Sequence, residues 1–147
     1  MAEKALFFNR ELSWIEFNNR VLYEACRQDI PLMERLKFLA IVSSNFDEFF
    51  MVRVARLKRQ MRHNPEQRDI AGLTPKEQLE KIATRAHQVV SQQYKTLMEQ
   101  VIPQLAERGI EYVPSKKYND RQQAFTKTKF IQEIFPLLTP IRTDLPS

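Results

Sequence analysis

The chain has 147 residues, and its 23 lysines and arginines outnumber its 18 aspartates and glutamates, giving a net charge of +5. An apolar fraction of 43% with 28% charged residues indicates a soluble folded protein and excludes a disordered chain, which would be poorer in apolar residues. Cys26 is the only cysteine, which excludes an intramolecular disulfide and a thiolate-rich zinc site. No signal peptide and no apolar run near the ~20 residues of a membrane span is present, so we expect a cytoplasmic protein; peripheral membrane association is not readable from the sequence.

Glycine is nearly absent, with only Gly72 and Gly109 in the whole sequence. This predicts helices with few tight turns. It also excludes the Walker and dinucleotide loops, which use several glycines so that backbone N–H groups can approach phosphates. A bound triphosphate would therefore be held by side chains, or in another part of a longer protein.

The first predicted helix has a complete start signal. Ser13 is expected as its N-cap, with Glu16 three residues later and Leu12 placed to pack against Phe17. Pro31 is expected to stop it. The apolar face is expected in the core, although a cofactor-binding box is an alternative interpretation; it comprises Trp14, Phe17, Val21, Leu22 and Ala25.

Two further helices are predicted between Leu32 and Arg62, separated by the small polar residues Ser43-Ser44-Asn45. Asn45 is expected as the N-cap of the second, with Glu48 closing a capping box. Asp47 and Glu48 would complement the helix dipole, which explains them better than metal binding does. The second helix is strongly basic, which is typical of a solvated face or of a surface that attracts polyanions; its cations are Arg53, Arg56, Lys58, Arg59 and Arg62.

A long helix is predicted from Thr74, where an N-cap, a proline at N1 and Glu77 at N3 coincide. Its apolar stripe runs towards Gly109, the expected C-cap, and Pro103 should bend the helix or end its regular part. Beyond Gly109 the segment Ile110–Val113 predicts a short strand.

Asn119 or Asp120 is expected to cap one more helix, which carries Phe125, Ile131, Ile134 and Phe135. Residues 138–147 look like the entrance to a strand or loop. We therefore predict an all-α N-terminal domain over residues 1–109, followed by the truncated start of a middle α/β (α+β) domain over residues 110–147.

Two long motifs carry a resemblance to a known family. NRELSWIEFNNRVLYEA, from Asn9, and FLAIVSSNFDEFFMVRVARLKRQ, ending at Gln60, closely resemble the N-terminal domain of the bacterial polyphosphate kinases that carry their phosphoryl group on histidine. The resemblance implies reversible transfer of the terminal phosphate of ATP to inorganic polyphosphate, with Mg²⁺. The phosphohistidine and the metal-binding residues belong to later domains, and His63 and His87 match neither motif.

The resemblance also implies site residues. Asn45 would contact ATP near its adenine, whereas its sequence context alone favours a helix cap. At least two of Phe46, Phe49 and Phe50 are expected in the core, and Phe46 is the candidate for an exposed ring that contacts the ATP base. We predict no catalytic residue and no metal ligand in this chain.

The leading hypothesis is an N-terminal portion of a polyphosphate kinase, inactive by itself, that supplies adenine-side contacts and contacts between domains or subunits. Its partners would be ATP and ADP, polyphosphate, the C-terminal catalytic domains and a second subunit of a homo-oligomer. No nucleic acid is expected as a partner. The alternatives are a basic helical module that binds nucleic acid, motivated by the net charge, and a helical interaction domain without a ligand.

Overall fold

The computed structural model describes residues 7–140, which form helices joined by short loops and contain no strand. The chain divides into two compact units, one up to Ile110 and the other from Glu111 onwards. Within the described residues, no helix is both long and apolar enough to cross a membrane.

The first helix, α1, spans Arg10–Cys26, and its N-cap is Asn9. The Asn9 carboxamide oxygen accepts a hydrogen bond from the backbone N–H of Leu12 at 2.8 Å. The predicted cap at Ser13 is wrong, because Asn9 satisfies the free N–H groups one turn earlier and Ser13 lies inside the helix.

The next helix is continuous from Leu32 to His63, and we call it the Asn45 helix. It consists of α2 (Leu32–Glu48), a π-helical turn (Phe49–Val54) and α3 (Ala55–His63). The predicted break at Ser43-Ser44-Asn45, with Asn45 as an N-cap and Glu48 in a capping box, is therefore wrong.

Two of the three polar side chains at the predicted break, Ser43 and Asn45, have partners on other helices. Ser43 Oγ accepts a hydrogen bond from Gln93 Nε2 at 2.7 Å. Asn45 Nδ2 donates to Asn18 Oδ1 at 2.9 Å. Because these side chains bond to neighbouring helices, they do not compete for their own backbone, and the helix continues.

The π-helical turn explains an irregular spacing of apolar residues. Phe49 and Val54 are five residues apart, and both are buried. At about 100° per residue an α-helix would direct them roughly 140° apart. The wider turn, in which Ala55 N–H bonds to Phe50 C=O, lets both side chains face the core.

The long helix spans Pro75 to Glu107 and comprises α4 (Pro75–Thr96), a second π-helical turn (Leu97–Val101) and α5 (Ile102–Glu107). The predicted capping box of Thr74 and Glu77 is confirmed. The regular α-helix gives way to the π-helical turn already at Leu97 and resumes at Ile102, so the helix continues through Pro103 to Glu107.

The predicted end of the long helix at Gly109 is confirmed to within one residue, because the C-cap is Arg108 and Gly109 follows it. The φ of +81° at Gly109 lies in the left-handed region that favours glycine. The N–H of Gly109 bonds to Ala106 C=O and that of Ile110 to Leu105 C=O, the pattern of a Schellman motif.

The core of the first unit lies where α1, the Asn45 helix and the long helix pack together. Fifteen apolar side chains are buried in it, among them Ile15, Leu22, Val42, Ile82 and Val101. Arg35 is buried as well, and its guanidinium donates to Ala25 C=O at 2.8 Å and to Gln100 Oε1 at 2.7 Å. These bonds join the end of α1 to both other helices.

The second unit contains α6 (Asp120–Lys129), whose predicted cap is confirmed at Asn119, which forms a capping box with Gln122. A π-helical turn (Phe130–Ile134) and a short 3₁₀ turn (Phe135–Leu137) follow. The predicted strand at Ile110–Val113 is wrong: these residues have no regular structure, because a strand needs a hydrogen-bonded partner and none of the described residues supplies one. Of the predicted strand or loop entrance at 138–147, residues 141–147 lie outside the described residues.

Candidate functional site

The Asn45 helix and α1 border a cleft of about 340 Å³, which we call the Asn45 cleft. Its wall combines an amide, aromatic rings and five charged side chains. The lining residues are Arg10, Glu11, Trp14, Phe17, Asn45, Glu48, Phe49, Val52, Arg53 and Arg56.

The amide of Asn45 has a defined orientation. Asn18 is fully buried, and its Nδ2 donates to Val42 C=O at 3.1 Å. The Oδ1 of Asn18 is therefore turned towards Asn45, whose Nδ2 donates to it at 2.9 Å. No described residue donates a hydrogen bond to Asn45 Oδ1, so this oxygen remains available as an acceptor at the cleft wall.

Aromatic rings form one side of the Asn45 cleft. Trp14 and Phe49 are stacked, with ring centroids 4.5 Å apart and planes 12° from parallel. Phe46 packs edge-on against both rings and is 4% exposed. The expectation that Phe46 is exposed is wrong, because it faces the core, whereas Phe17 is 47% exposed and lines the cleft. The expectation that at least two of the three phenylalanines are in the core is confirmed by Phe46 and Phe49.

Charged side chains form the other side of the Asn45 cleft. Glu11 is 6% exposed, and its carboxylate accepts hydrogen bonds from Arg53 at 3.1 Å and from Arg56 at 3.4 Å. The Arg53 guanidinium also lies 5.7 Å from the Trp14 ring centroid, within the range of a cation–π contact. One buried carboxylate thus holds two guanidinium groups beside an aromatic ring, and Arg10 adds a third cation to the wall.

The sequence patterns point to Asn45, Arg53 and Arg56, and to Trp14 and Phe17 as a possible cofactor-binding box, but not to Glu11 and Asn18 of α1. A usable signal exists, because Glu11, Trp14 and Asn18 follow a three- and four-residue spacing and so share one face of a helix. Because Glu11 and Asn18 are polar residues on this largely apolar face, they indicate hydrogen-bonding partners on another helix, which the local sequence does not identify.

A second and larger groove, of about 800 Å³, lies between α1 and α4. Glu16 and Arg85 are joined across it by two hydrogen bonds, one of 2.5 Å and one of 2.9 Å. The hydrogen bond from Arg85 is the main reason that the pKa of Glu16 lies below its usual value, and the same bond raises the pKa of Arg85.

Neither histidine lies in the Asn45 cleft. His63 is in the last turn of α3, where a cation complements the helix dipole, and His87 is exposed on α4. Between residues 7 and 140, no group of three or more His, Cys, Asp or Glu side chains is placed to hold a metal ion.

The first unit is thus a helical domain with an amide and arginine cleft between two of its helices. Residues 7–113 match the family model of the polyphosphate kinase N-terminal domain. The chain is 50% identical over 145 residues to a polyphosphate kinase of Halalkalibacterium halodurans and 49% identical to one of Bacillus anthracis; each alignment covers 97% of this chain and 20% of the relative. A crystal structure of polyphosphate kinase from Porphyromonas gingivalis is similar with a TM-score of 0.71 and 32% identity, over 96% of this chain and 21% of that one.

The chain belongs to the polyphosphate kinase family, in which it corresponds to the N-terminal domain. This confirms the resemblance carried by the two sequence motifs and the prediction of an all-α N-terminal fold. The chain spans about a fifth of the length of the curated relatives it matches.

Proposed function

We propose that this chain is the N-terminal part of an enzyme that reversibly transfers the terminal phosphate of ATP to inorganic polyphosphate, and that the Asn45 cleft forms the adenine-side wall of its ATP site. The observation that carries the proposal is the free Oδ1 of Asn45. Adenine has an exocyclic amine, which is a hydrogen-bond donor, and an amide oxygen held at a cleft wall is a suitable acceptor for it.

The arginines of the cleft support an anionic ligand. Arg53 and Arg56 lie eight and eleven residues beyond Asn45 on one continuous helix, about 12 and 16 Å along its axis. Guanidinium groups bind phosphate oxygens well, and a cationic cleft raises the local concentration of anions such as ATP or polyphosphate. Glu11 keeps two of these groups in place without fully neutralising them.

The chemistry itself belongs to other domains in this proposal. Phosphoryl transfer needs a nucleophile, counter-charge and usually a metal ion, and the phosphohistidine and Mg²⁺ would be supplied by the C-terminal catalytic domains. This chain would be inactive by itself, and ADP would be formed only by the complete enzyme. The chain would also contribute contacts within a homo-oligomer. The comparisons do not favour the alternative of a nucleic-acid-binding or interaction module without catalysis.

A titration of the ¹⁵N-labelled chain with ATP, followed by amide NMR shifts, tests the proposal. Shifts centred on residues 43–49 that are larger with ATP than with GTP, and that disappear in Asn45→Ala, are the expected result. If no shifts appear at millimolar ATP, the KM for ATP of the complete enzyme is measured with and without the substitution Asn45→Ala. An unchanged KM for ATP there would overturn the adenine contact.

A further inference from the structure

Asn18 is a buried amide that the proposed nucleotide site does not itself use. It has no exposed surface and therefore cannot touch a ligand in the cleft. Both of its polar ends have partners on the Asn45 helix: Nδ2 donates to Val42 C=O, and Oδ1 accepts from Asn45 Nδ2. Its position on α1 places it directly behind the cleft wall.

The direction of this hydrogen-bond chain is fixed by its inner end. A backbone carbonyl can only accept, so Val42 C=O requires Nδ2 of Asn18 on its side. Oδ1 of Asn18 must then face Asn45 and requires Nδ2 of Asn45 in return. The two orientations of the Asn45 amide are therefore unequal, and the one that turns Oδ1 away from Asn18 is selected.

From this geometry we infer that Asn18 is a positioning residue that sets the preference of the site for adenine over guanine. The inference rests on the proposed function of Asn45. An outward amide oxygen accepts from the exocyclic amine of adenine, whereas guanine has a carbonyl oxygen at the equivalent ring position, and two acceptors repel. Without Asn18, the side-chain amide of Asn45 could rotate by half a turn and present its NH₂ group to the base. The site would then no longer distinguish adenine from guanine.

The test uses the complete polyphosphate kinase that contains this chain, with KM and kcat measured for ATP and for GTP. Asn18→Leu removes both hydrogen bonds while keeping the branching and the number of heavy atoms of the side chain. We expect a KM for ATP about five- to tenfold higher, a kcat within about twofold of the native value, and a smaller preference for ATP over GTP. Asn18→Asp can retain both bonds when protonated and should restore most of the preference.

Gln93 supplies the matched control. It is also a buried amide that bonds to the Asn45 helix, through Leu39 C=O at 2.8 Å and Ser43 Oγ at 2.7 Å, but its hydrogen bonds do not involve Asn45. Gln93→Leu should lower the unfolding midpoint as Asn18→Leu does, while leaving the ratio of ATP to GTP efficiency unchanged. An equal loss of preference in both variants would overturn the positioning role.

A double substitution separates this inference from the function on which it rests. If Asn18 acts through Asn45, then Asn18→Leu has no further effect on the nucleotide preference of Asn45→Ala. A preference that persists in Asn45→Ala overturns the proposed contact itself. A preference lost in Asn45→Ala but retained in Asn18→Leu overturns only the role of Asn18.

Discussion

Arg35 is the largest fully buried side chain among the described residues, and its guanidinium is surrounded by neutral oxygens. It donates to Ala25 C=O at the end of α1, to Gln28 and to Gln100. The last turn of α1 has no basic residue of its own, so Arg35 places a positive charge where the helix dipole is negative. The arginine thereby ties three helices together at one corner.

Replacement of Arg35 by methionine should therefore destabilise the first unit by about 3 kcal/mol, because buried acceptors lose their donors. Urea unfolding measured by circular dichroism gives the change. Arg27→Met is the matched control, since Arg27 forms its ion pairs with Glu24 and Asp29 at the surface and should leave the midpoint close to native. Equal shifts in the two variants would contradict a special role for the buried arginine.

The ion pair of Glu16 and Arg85 predicts a stability difference that depends on pH. The pKa of Glu16 is lowered from 4.5 in the folded state, chiefly by the hydrogen bond from Arg85. Its contribution is therefore complete at pH values above about 4.5 and is lost as the pH falls through the folded pKa. Because both side chains are partly exposed, the contribution should be under about 1 kcal/mol.

Unfolding of the native chain and of Glu16→Gln, compared at several pH values from 7 down to 2, measures this contribution. The native chain should be the more stable at pH 7, and the difference should disappear in acid. Glu80→Gln serves as control, because Glu80 lines the same groove but forms no ion pair with a described residue. A difference that stays constant with pH would show that another property of the substitution is responsible.

At the scale of the helices, local signals and distant partners differ in how well they can be predicted. The starts at Thr74 and Asn119 and the end at Gly109 were predictable, because each cap bonds to backbone within a few residues. The break at Ser43-Ser44-Asn45 was wrong because the relevant partners, Asn18 and Gln93, lie 27 and 50 residues away in the sequence. Cap-forming residues inside a helix therefore indicate a tertiary contact as readily as a helix start.

Thr74, the N-cap of the long helix, should contribute more to the stability of the chain than Thr84, which lies inside the helix. Thr74→Ala removes the capping box and should cost about 1 kcal/mol. Thr84→Ala removes only a hydroxyl that bonds back to Glu80 C=O on an exposed face, and its effect should be near zero. Thermal unfolding of both variants checks this order, and a larger loss for Thr84→Ala would be inconsistent with it.

At the scale of the whole chain, every described residue that is buried lies between Asn9 and Leu105. The structure divides the chain into compact units after Ile110, and we propose a domain boundary there, near the predicted division of 1–109 from 110–147. The large apolar side chains of α6 and the turns that follow it are exposed; they include Phe125, Ile131 and Phe135.

A shortened chain of residues 1–110 should consequently fold by itself and unfold at the same urea concentration as the longer chain, because its core is complete. A chain ending at Tyr94 lacks Val101 and Leu105 and should lose cooperative unfolding. Well-dispersed amide NMR spectra distinguish folded from unfolded chains. If residues 1–110 fail to fold, the core of this unit requires more than its own residues.

The candidate site could be predicted only in part, for a reason that also belongs to this scale. Asn45 was predicted from the resemblance, and the arginines from the basic pattern of the same segment. Glu11, Trp14 and Asn18 come from α1, and their relation to Asn45 depends on the packing of two helices, which the sequence motif does not describe. The free amide oxygen follows from that packing alone.

The continuity of the Asn45 helix has a consequence for how the cleft could select its ligands by length. Asn45 and Arg56 belong to one continuous helix, with a π-helical turn but no loop between them. The distance between their backbone positions is therefore set by the helix and cannot be changed by a rigid-body movement of one element against another. A molecule that bridges the two side chains must match this distance to within the reach of the arginine, and one that is too short can engage only one end of the cleft.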